Sequence, residues 1–470
     1  MRMLCRRAEK LYSGRKQRKE DCMNCTETMR KKNRFIDWAV FTVVLVLFSA
    51  LTLTLFGRQV YGDLEHYHSD MKAYILEMQG LDSGYSFPYP VFFKLAALIH
   101  FVASPEMAVA ISAMLLNSLS LVITKLAFNR LLCGDGRKKA SGSTGTDKGG
   151  EDTGLSVPVG IAVSLLSASL FFISMLYPPD GIYLPGIKFK NIGVFSPNPF
   201  HNATYMAARP FAILAFLWYG KLLPVYENGV ILRAGKGREI LCGGEGKKQA
   251  ALKDYMLFSL FLLIATMTKP SFTLVMVSTA GLIMLYRLIR AKFQNFVPTI
   301  QLGVCFIPTF TALLYQYRGV FMPEDGEEGG IGFCFGEVWA QYCDNIPLAV
   351  CLAIGFPLLV LVLNFRECRK NSLFRFSWQL YLVGFAEAFL LYEKGFRKVD
   401  FNFSWGYMYG IFFCHFGALL LLLQKTAGRS TGNSGKKERL LLILQWLAYL
   451  WHLACGIYYF WGIFLGGTYY

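Results

Sequence analysis

The densest group of titratable side chains follows the first apolar segment of the chain. Asp63, His66, His68 and Asp70 lie within eight residues, with Glu65 among them. If this segment is helical, Asp63, His66 and Asp70 share a face, because residues three and four apart are neighbours on a helix. A carboxylate beside an imidazole or a second carboxylate is suited to act as a general base. We predict Asp70 or Asp63 as that base, supported by Glu65, His66 and His68.

Two other interpretations of this cluster stay open. The segment can be an exposed, solvated loop. Its residue types also suit a metal ion, but the spacing of Asp63, His66, His68 and Asp70 matches no closed structural metal site. We therefore predict neither a required metal nor a cofactor.

Isolated cations and one histidine lie at the edges of other apolar segments. Lys269 and Arg209 each directly precede a proline, whereas Lys394 and Arg397 follow a later apolar segment and His201 lies ahead of Arg209. Charges at a membrane boundary are costly, so they indicate function by default. The alternative is that Lys269 or Arg209 only anchors a helix at the interface.

The composition excludes most function classes. Hydrophobic residues make up 54% of the 470 residues and charged residues 17%, and the mean hydropathy is +0.38. A soluble protein carries about 25% charged residues. The chain is therefore predicted to be an integral membrane protein rather than a secreted, nucleic-acid-binding or cytosolic one. Its net charge of +17 is typical of basic cytoplasmic loops.

Eleven apolar segments are long enough to predict membrane-spanning helices in an all-α polytopic bundle. They are Ile36–Gly57, Met107–Leu132, Leu155–Tyr177, Tyr205–Leu223, Tyr255–Thr268, Ser271–Ile289, Val297–Tyr317, Ile346–Asn364, Trp378–Glu393, Trp405–Gln424 and Leu440–Leu465. A twelfth segment, Tyr89–Ala103, is apolar but short.

The basic residues decide between eleven and twelve spans. With Tyr89–Ala103 as an interfacial helix, 33 of the 48 Lys and Arg fall on one side and 10 on the other. The positive-inside rule then predicts a cytoplasmic N-terminus and an outer C-terminus in the plasma membrane. We predict residues 1–35 to be a basic cytoplasmic tail, with Met23 or Met29 as alternative starts, and 36–470 to be one transmembrane domain with interfacial helices in a first outer loop, 58–106. The other predicted outer segments are 178–204, 269–270, 318–345 and 394–404.

The cysteines predict no disulfide framework. Cys22 and Cys25 form a lone CxxC in a basic segment, which favours reduced thiols. Cys334 and Cys343 share one predicted outer loop and could pair there. No soluble nucleotide-binding motif occurs, so a donor substrate would arrive in the membrane.

This pattern resembles the GT-C superfamily of integral-membrane glycosyltransferases. The first predicted span ends at Gly57, and the acidic cluster follows within about four helical turns. Ser69-Asp70-Met71 with Tyr74, followed by Tyr89-Pro90, is similar to the Asp…Tyr…Tyr-Pro run of many bacterial members. The chain departs from the family in having neither an Asp-x-Asp nor an adjacent Asp-Glu pair, which leaves Asp63 and Asp70 both open as the catalytic carboxylate.

The resemblance implies an inverting transfer of a sugar from a polyprenyl-phosphate donor to a glycan or lipid-linked acceptor at the outer face, as in cell-envelope polysaccharide synthesis. Lys269, Arg209, Lys394 and Arg397 would then hold the donor phosphate, and a metal is optional because side-chain cations can balance a monophosphate. The bilayer is the other expected partner, and nucleic acid is not. The alternatives are a non-enzymatic flippase or transporter of a lipid-linked saccharide and an O-antigen-type polymerase or ligase. The near absence of charge inside the predicted spans disfavours transport.

Overall fold

The computed structural model describes residues 2–140, 156–177, 194–235, 251–321, 330–429 and 435–467. Apart from one two-stranded antiparallel sheet, the regular structure of these residues is helical. The α-helices are α1 (Arg2–Tyr61), α2 (Met71–Gln79), α3 (Pro90–His100), α4 (Pro105–Ala140), α5 (Val157–Ser169), α6 (Ala203–Gly235), α7 (Leu252–Thr268), α8 (Ser271–Arg290), α9 (Phe296–Val304), α10 (Ile307–Phe321), α11 (Glu337–Ala340), α12 (Ile346–Leu363), α13 (Phe365–Lys370), α14 (Ser372–Leu390), α15 (Ser404–Arg429) and α16 (Lys436–Phe464). The strands are β1 (Ile331–Phe333) and β2 (Leu391–Glu393), and a 3₁₀ helix spans Gly395–Asp400.

Seven helical stretches of the described residues are long and apolar enough to cross a membrane, and the bent pair α9 and α10 would make an eighth. The seven are Lys31–Tyr61, Pro105–Cys133, Ala203–Glu227, Ser271–Arg290, Ile346–Leu363, Arg397–Ala427 and Lys436–Phe464. The three other predicted spans contain α5, α7 and α14, which are helical but shorter or less apolar. An all-α fold with seven or eight helical stretches that could cross a membrane is thus confirmed for the described residues and indicates a multi-pass membrane protein, while the number eleven and the sidedness stay predictions.

The burial pattern agrees with a lipid environment. Residues 404–423 of α15 are all buried, so this helix lies at the centre of the bundle. Peripheral helices instead expose large apolar side chains, such as Val43, Leu314 and Leu440. Such a continuous apolar surface is rare on a soluble protein, but lipid chains solvate it without cost.

Helices α14 and α15 approach each other closely through two glycines. A Cβ atom on Gly384 would lie 2.9 Å from the Cα of Tyr407, and one on Gly410 would lie 2.7 Å from the Cα of Tyr381. Small residues allow this contact, which is the usual way that membrane helices pack tightly. The connection between them, residues 391–403, therefore joins two helices that are packed tightly against each other.

The segment after α1 is not the helix that the spacing of its acidic residues allowed. Residues 62–70 form turns, and α2 begins only at Met71. The condition for Asp63, His66 and Asp70 to share a helical face is therefore not met. The following apolar segment forms α3, an 11-residue helix with Pro90 at its first position, where proline is favoured.

Candidate functional site

A cavity of about 600 Å³ opens at one end of the bundle. Its wall includes Asp70, His201, Lys269, Tyr342 and Arg397. These five residues come from five different segments of the chain, and each segment is one of the five predicted to lie on the outer side. The fold therefore brings together polar residues that are up to about 330 positions apart in sequence.

Lys269 reaches this cavity because the chain breaks there. Helix α7 ends at Thr268, and Lys269 is extended, with φ −166° and ψ 127°. The residue before a proline is driven out of the helical region, and Pro270 follows. The Lys269 Nζ donates to Asn202 Oδ1 at 2.9 Å and to Thr204 Oγ1 at 3.2 Å. Burial lowers the pKa of this ammonium to about 8, and the nearby Asp70 carboxylate opposes that shift.

Asp70 precedes the first residue of α2, but its side chain does not cap that helix. Its Oδ2 instead accepts hydrogen bonds from the Tyr74 hydroxyl at 3.0 Å and from Asn202 Nδ2 at 2.7 Å. Burial raises the pKa of Asp70, while the charge of Lys269 and the hydrogen bond from Tyr74 act in the opposite direction. The pKa of the Asp70 carboxyl group is thus above that of an ordinary aspartate.

Asn202 connects the carboxylate to the ammonium. Because a lysine ammonium only donates hydrogen bonds, the amide oxygen of Asn202 faces Lys269 and the amide nitrogen faces Asp70. The hydroxyl groups of Tyr74 and Thr204 are 2.9 Å apart and close a ring back to Asp70. Each side chain of this ring is held by at least two others, so the charged groups at its two sides have defined positions.

A second carboxylate, Glu393, lies at another part of the wall. It ends strand β2 and is paired with Ile331 of β1. Its side chain is 8% exposed, and its Oε2 accepts from Asn402 Nδ2 at 2.8 Å. Asn402 Oδ1 in turn accepts from the indole nitrogen of Trp405 at 3.2 Å.

Arg397 lies between two acidic groups. Its Nε is 3.4 Å from Glu393 Oε2 and 3.2 Å from Asp400 Oδ2. All three residues line the cavity. Two carboxylates share this single guanidinium, so it is less available to an anionic ligand than Lys269 is.

Arg209 does not line the cavity. It is fully buried in α6, where its guanidinium donates to Asn198 Oδ1 at 2.8 Å and to the backbone oxygen of Pro197 at 3.2 Å. Asn198 donates in turn to the backbone oxygens of Leu170 and Ile173. The structure therefore places Arg209 behind the site, where it anchors the segment that carries His201 and Asn202.

The remaining predicted site residues divide between the wall and the protein surface. His68 and His201 line the cavity, and His201 is buried, which lowers its pKa to about 3. Asp63, His66, Glu65 and Lys394 are exposed and lie outside the cavity wall.

Asp63 and His66 form a separate surface pair. The two side chains are 2.7 Å apart and 61% and 64% exposed. Hydrogen bonds from His66 lower the pKa of Asp63, and the same contact raises that of His66. The Asp63 and His66 side chains therefore bind each other, and both lie outside the cavity wall.

Sequence reasoning did not select several residues that organise the cavity. Asn202, Thr204, Glu393, Asn402 and Trp405 each orient or contact a charged group there. Four of them are uncharged, so no charge pattern singles them out. The only available signal was position, because each lies within a few residues of a predicted outer segment.

The structure also describes the metal-ligating residue types and the cysteines that the sequence singled out. Among the described residues, no group of three or more His, Cys, Asp and Glu side chains could hold a metal ion. Cys334 and Cys343 are both buried as free thiols rather than joined in a disulfide. The side chains of Cys22 and Cys25 lie outside the described part of the chain.

One wall of the cavity is apolar and adjoins an exposed apolar surface of the bundle. It is formed by α8 and α10, and it includes Leu274, Phe310 and Leu314. All three side chains are exposed, Leu314 to 68%. The polar groups around Asp70 and Lys269 thus share a space with side chains that also face the surroundings of the bundle.

Comparison with known proteins gives no match: no protein-family model, curated protein or solved structure is similar to this chain. The resemblance to GT-C enzymes therefore depends on the residues and the architecture alone.

Proposed function

We propose that this protein is an integral-membrane inverting glycosyltransferase that moves a sugar from a polyprenyl-phosphate donor to a glycan or lipid-linked acceptor at the outer face of the membrane. The observation that supports this most is the pair Asp70 and Lys269, held on opposite ends of the Asn202 amide in a cavity with an apolar, lipid-facing wall. A base, a cation and access for a lipid are the three requirements of this reaction.

Asp70 is the proposed general base. It accepts the proton of the acceptor hydroxyl as that oxygen attacks the anomeric carbon and the bond to the phosphate oxygen breaks. The hydrogen bonds to Asp70 from Tyr74 and Asn202 both use Oδ2, so Oδ1 is the oxygen assigned to the acceptor. A carboxyl group with a raised pKa is a better base than an ordinary aspartate.

Lys269 is the proposed phosphate ligand. Negative charge grows on the phosphate as it leaves, and a cation held in a fixed position stabilises that charge. The acceptors of Lys269 are the neutral groups of Asn202 and Thr204. Its charge is therefore not cancelled by a direct carboxylate contact, which leaves it suited to an incoming anion.

The apolar wall is the proposed entrance for the isoprenoid chain. Leu274 on α8 and Phe310 and Leu314 on α10 border the cavity and are exposed on the bundle surface. A polyprenyl chain lying along them would remain in the hydrocarbon layer while its phosphate reaches Lys269. The proposal includes eleven spans, a cytoplasmic N-terminus and location in the plasma membrane.

Reconstituted transfer tests the proposal. The purified protein in liposomes is supplied with a panel of synthetic polyprenyl-phosphate hexoses and pentoses and with membrane lipid extract as the acceptor source. Mass spectrometry then measures formation of free polyprenyl phosphate and of a glycosylated product, and NMR of the product checks inversion. Wild type is expected to turn over at least one donor, whereas Asp70→Asn is not.

Asp82→Asn is the matched control, because Asp82 is an exposed acid of the same loop that does not line the cavity. Turnover in Asp70→Asn equal to that of wild type would show that Asp70 is not the general base. Movement of the intact donor across the liposome membrane without any transfer would instead favour a flippase.

A further inference from the structure

The part of the cavity around Glu393 has a different charge from the part around Lys269. Glu393 and Asp400 both contact the single guanidinium of Arg397. When both carboxyl groups are ionised, this trio carries one net negative charge. An anionic group of a ligand is therefore repelled here and attracted to Lys269.

The orientation of Asn402 is defined by Trp405. An indole N–H only donates hydrogen bonds, so the oxygen of Asn402 faces Trp405 and its nitrogen faces Glu393. Both contacts of Glu393 with Asn402 and Arg397 use Oε2. The other carboxylate oxygen is left to accept a hydrogen bond, and the second N–H of the Asn402 amide to donate one.

This set of groups fits a ligand that has several hydroxyl groups and no negative charge. A hydroxyl group both donates and accepts, so adjacent hydroxyls can bind a carboxylate oxygen and an amide or guanidinium N–H at the same time. Binding sites commonly combine a few such polar groups with apolar walls. A carboxylate on the ligand would face Glu393 and Asp400 at close range.

We infer that Glu393, Arg397 and Asn402 bind the hydroxyl groups of a neutral sugar ring and discriminate against uronic acids. This inference rests on the proposed function, because it assigns the sugar of the donor to one part of the cavity and its phosphate to the other.

Trp405 lies between the two parts of the cavity. The Lys269 Nζ lies 4.9 Å from the centre of the Trp405 ring, and the nitrogen of the same ring donates to Asn402, which contacts Glu393. The indole and the Asn402 amide therefore connect the proposed phosphate ligand to the proposed sugar ligands.

Saturation-transfer NMR with the purified protein in lipid nanodiscs tests the inference. The probes are methyl glucoside, methyl mannoside and N-acetylglucosamine as neutral sugars, and methyl glucuronide as the anionic one. Wild type is expected to bind at least one neutral sugar in preference to the glucuronide. Glu393→Gln is expected to weaken binding of that sugar by about tenfold, because the side chain keeps an acceptor oxygen but loses the charge that strengthens the hydrogen bond.

The ratio of neutral to anionic binding is the second readout, since it does not depend on the amount of folded protein. Glu393→Gln removes one negative charge, so the preference for the neutral sugar should fall. Glu337→Gln is the matched control, because Glu337 is exposed and lies outside the cavity wall. Glucuronide binding equal to that of the neutral sugars in wild type, or an unchanged ratio in Glu393→Gln, would overturn the inference.

Asp70→Asn separates this inference from the proposed function. That variant should lose transfer in the liposome assay but keep sugar binding in the NMR assay. Sugar binding without any transfer by wild type would contradict the transferase alone. Transfer with no detectable effect of Glu393→Gln on sugar binding would contradict the Glu393 assignment alone.

Discussion

The two parts of the cavity that contain Asp70 and Glu393 hold these carboxylates in the same way but differ in how close the nearest cation lies. Asp70 and Glu393 each accept a hydrogen bond from an asparagine amide, and each amide is oriented by a group that can only donate. At Glu393 the cation Arg397 touches the carboxylate itself. At Asp70 the cation Lys269 is bound to the far end of the amide.

This difference separates reactivity from recognition. A carboxylate in direct contact with a guanidinium has one of its oxygens occupied by that cation, and the contact favours its charged form. A carboxylate whose cation is one amide away keeps more of its basicity, and the cation keeps more of its charge for a ligand. The comparison assigns proton transfer to Asp70 and sugar binding to Glu393, and the following variants can break it.

The largest effect is expected for Asp70→Asn. Loss of a general base lowers kcat by about 10²–10⁴-fold, with the protein still inserted in the membrane at normal levels. Glu393→Gln should raise KM for the donor more than it lowers kcat. Steady-state kinetics in liposomes measure both, and a larger fall of kcat in Glu393→Gln than in Asp70→Asn would reverse the two assignments.

The next largest effect is expected for Lys269→Ala. Removing a charged hydrogen-bond donor to the phosphate costs about 1.5–3 kcal/mol, or about 10–150-fold in kcat/KM, mostly as weaker use of the lipid donor. Arg397→Ala should lose less, because its charge is already shared by Glu393 and Asp400. Donor titrations of the two variants make the comparison, and unchanged donor dependence in Lys269→Ala would show that this residue only anchors the helix break.

The pH dependence follows from the same two groups. Asp70 must be ionised, and its raised pKa means that the rate falls as the solution is acidified while still above the ordinary aspartate range. Lys269 must be protonated, so kcat/KM should fall above a pH of about 8, by about tenfold per unit.

Lys269→Arg provides the check on that upper limb. A guanidinium stays charged at all accessible pH values, so the fall above pH 8 should disappear in an active variant. Persistence of the same limb in Lys269→Arg would assign it to a different group.

The smallest effect is expected at the surface pair. Asp63→Asn should leave transfer within about twofold of wild type, because exposed ion pairs contribute little and this pair lies outside the cavity wall. The same liposome assay measures it. A loss as large as that of Asp70→Asn would instead identify Asp63 as the base.

Sequence reasoning located some of the cavity residues but not their connections. Lys269 and Asp70 were identifiable because a charge beside a helix break or after an apolar segment is costly and therefore conspicuous. The same reasoning selected Arg209, whose guanidinium is buried against Asn198 rather than in the cavity. Asn202 carries no charge, so nothing in the sequence distinguishes it from other loop amides.

The sequence by itself indicated a helical membrane protein, because the length of an apolar segment and the charges beside it decide whether a helix can span a bilayer. Both are local properties of the chain. It also determined the helix break at Lys269, since proline restricts the backbone of the residue before it. Only the tertiary structure decided that Asp70, Asn202 and Lys269 meet, that Glu393 joins them in one cavity, and that Arg209 does not. Those contacts join residues tens to hundreds of positions apart, and they depend on how whole helices pack rather than on any local preference.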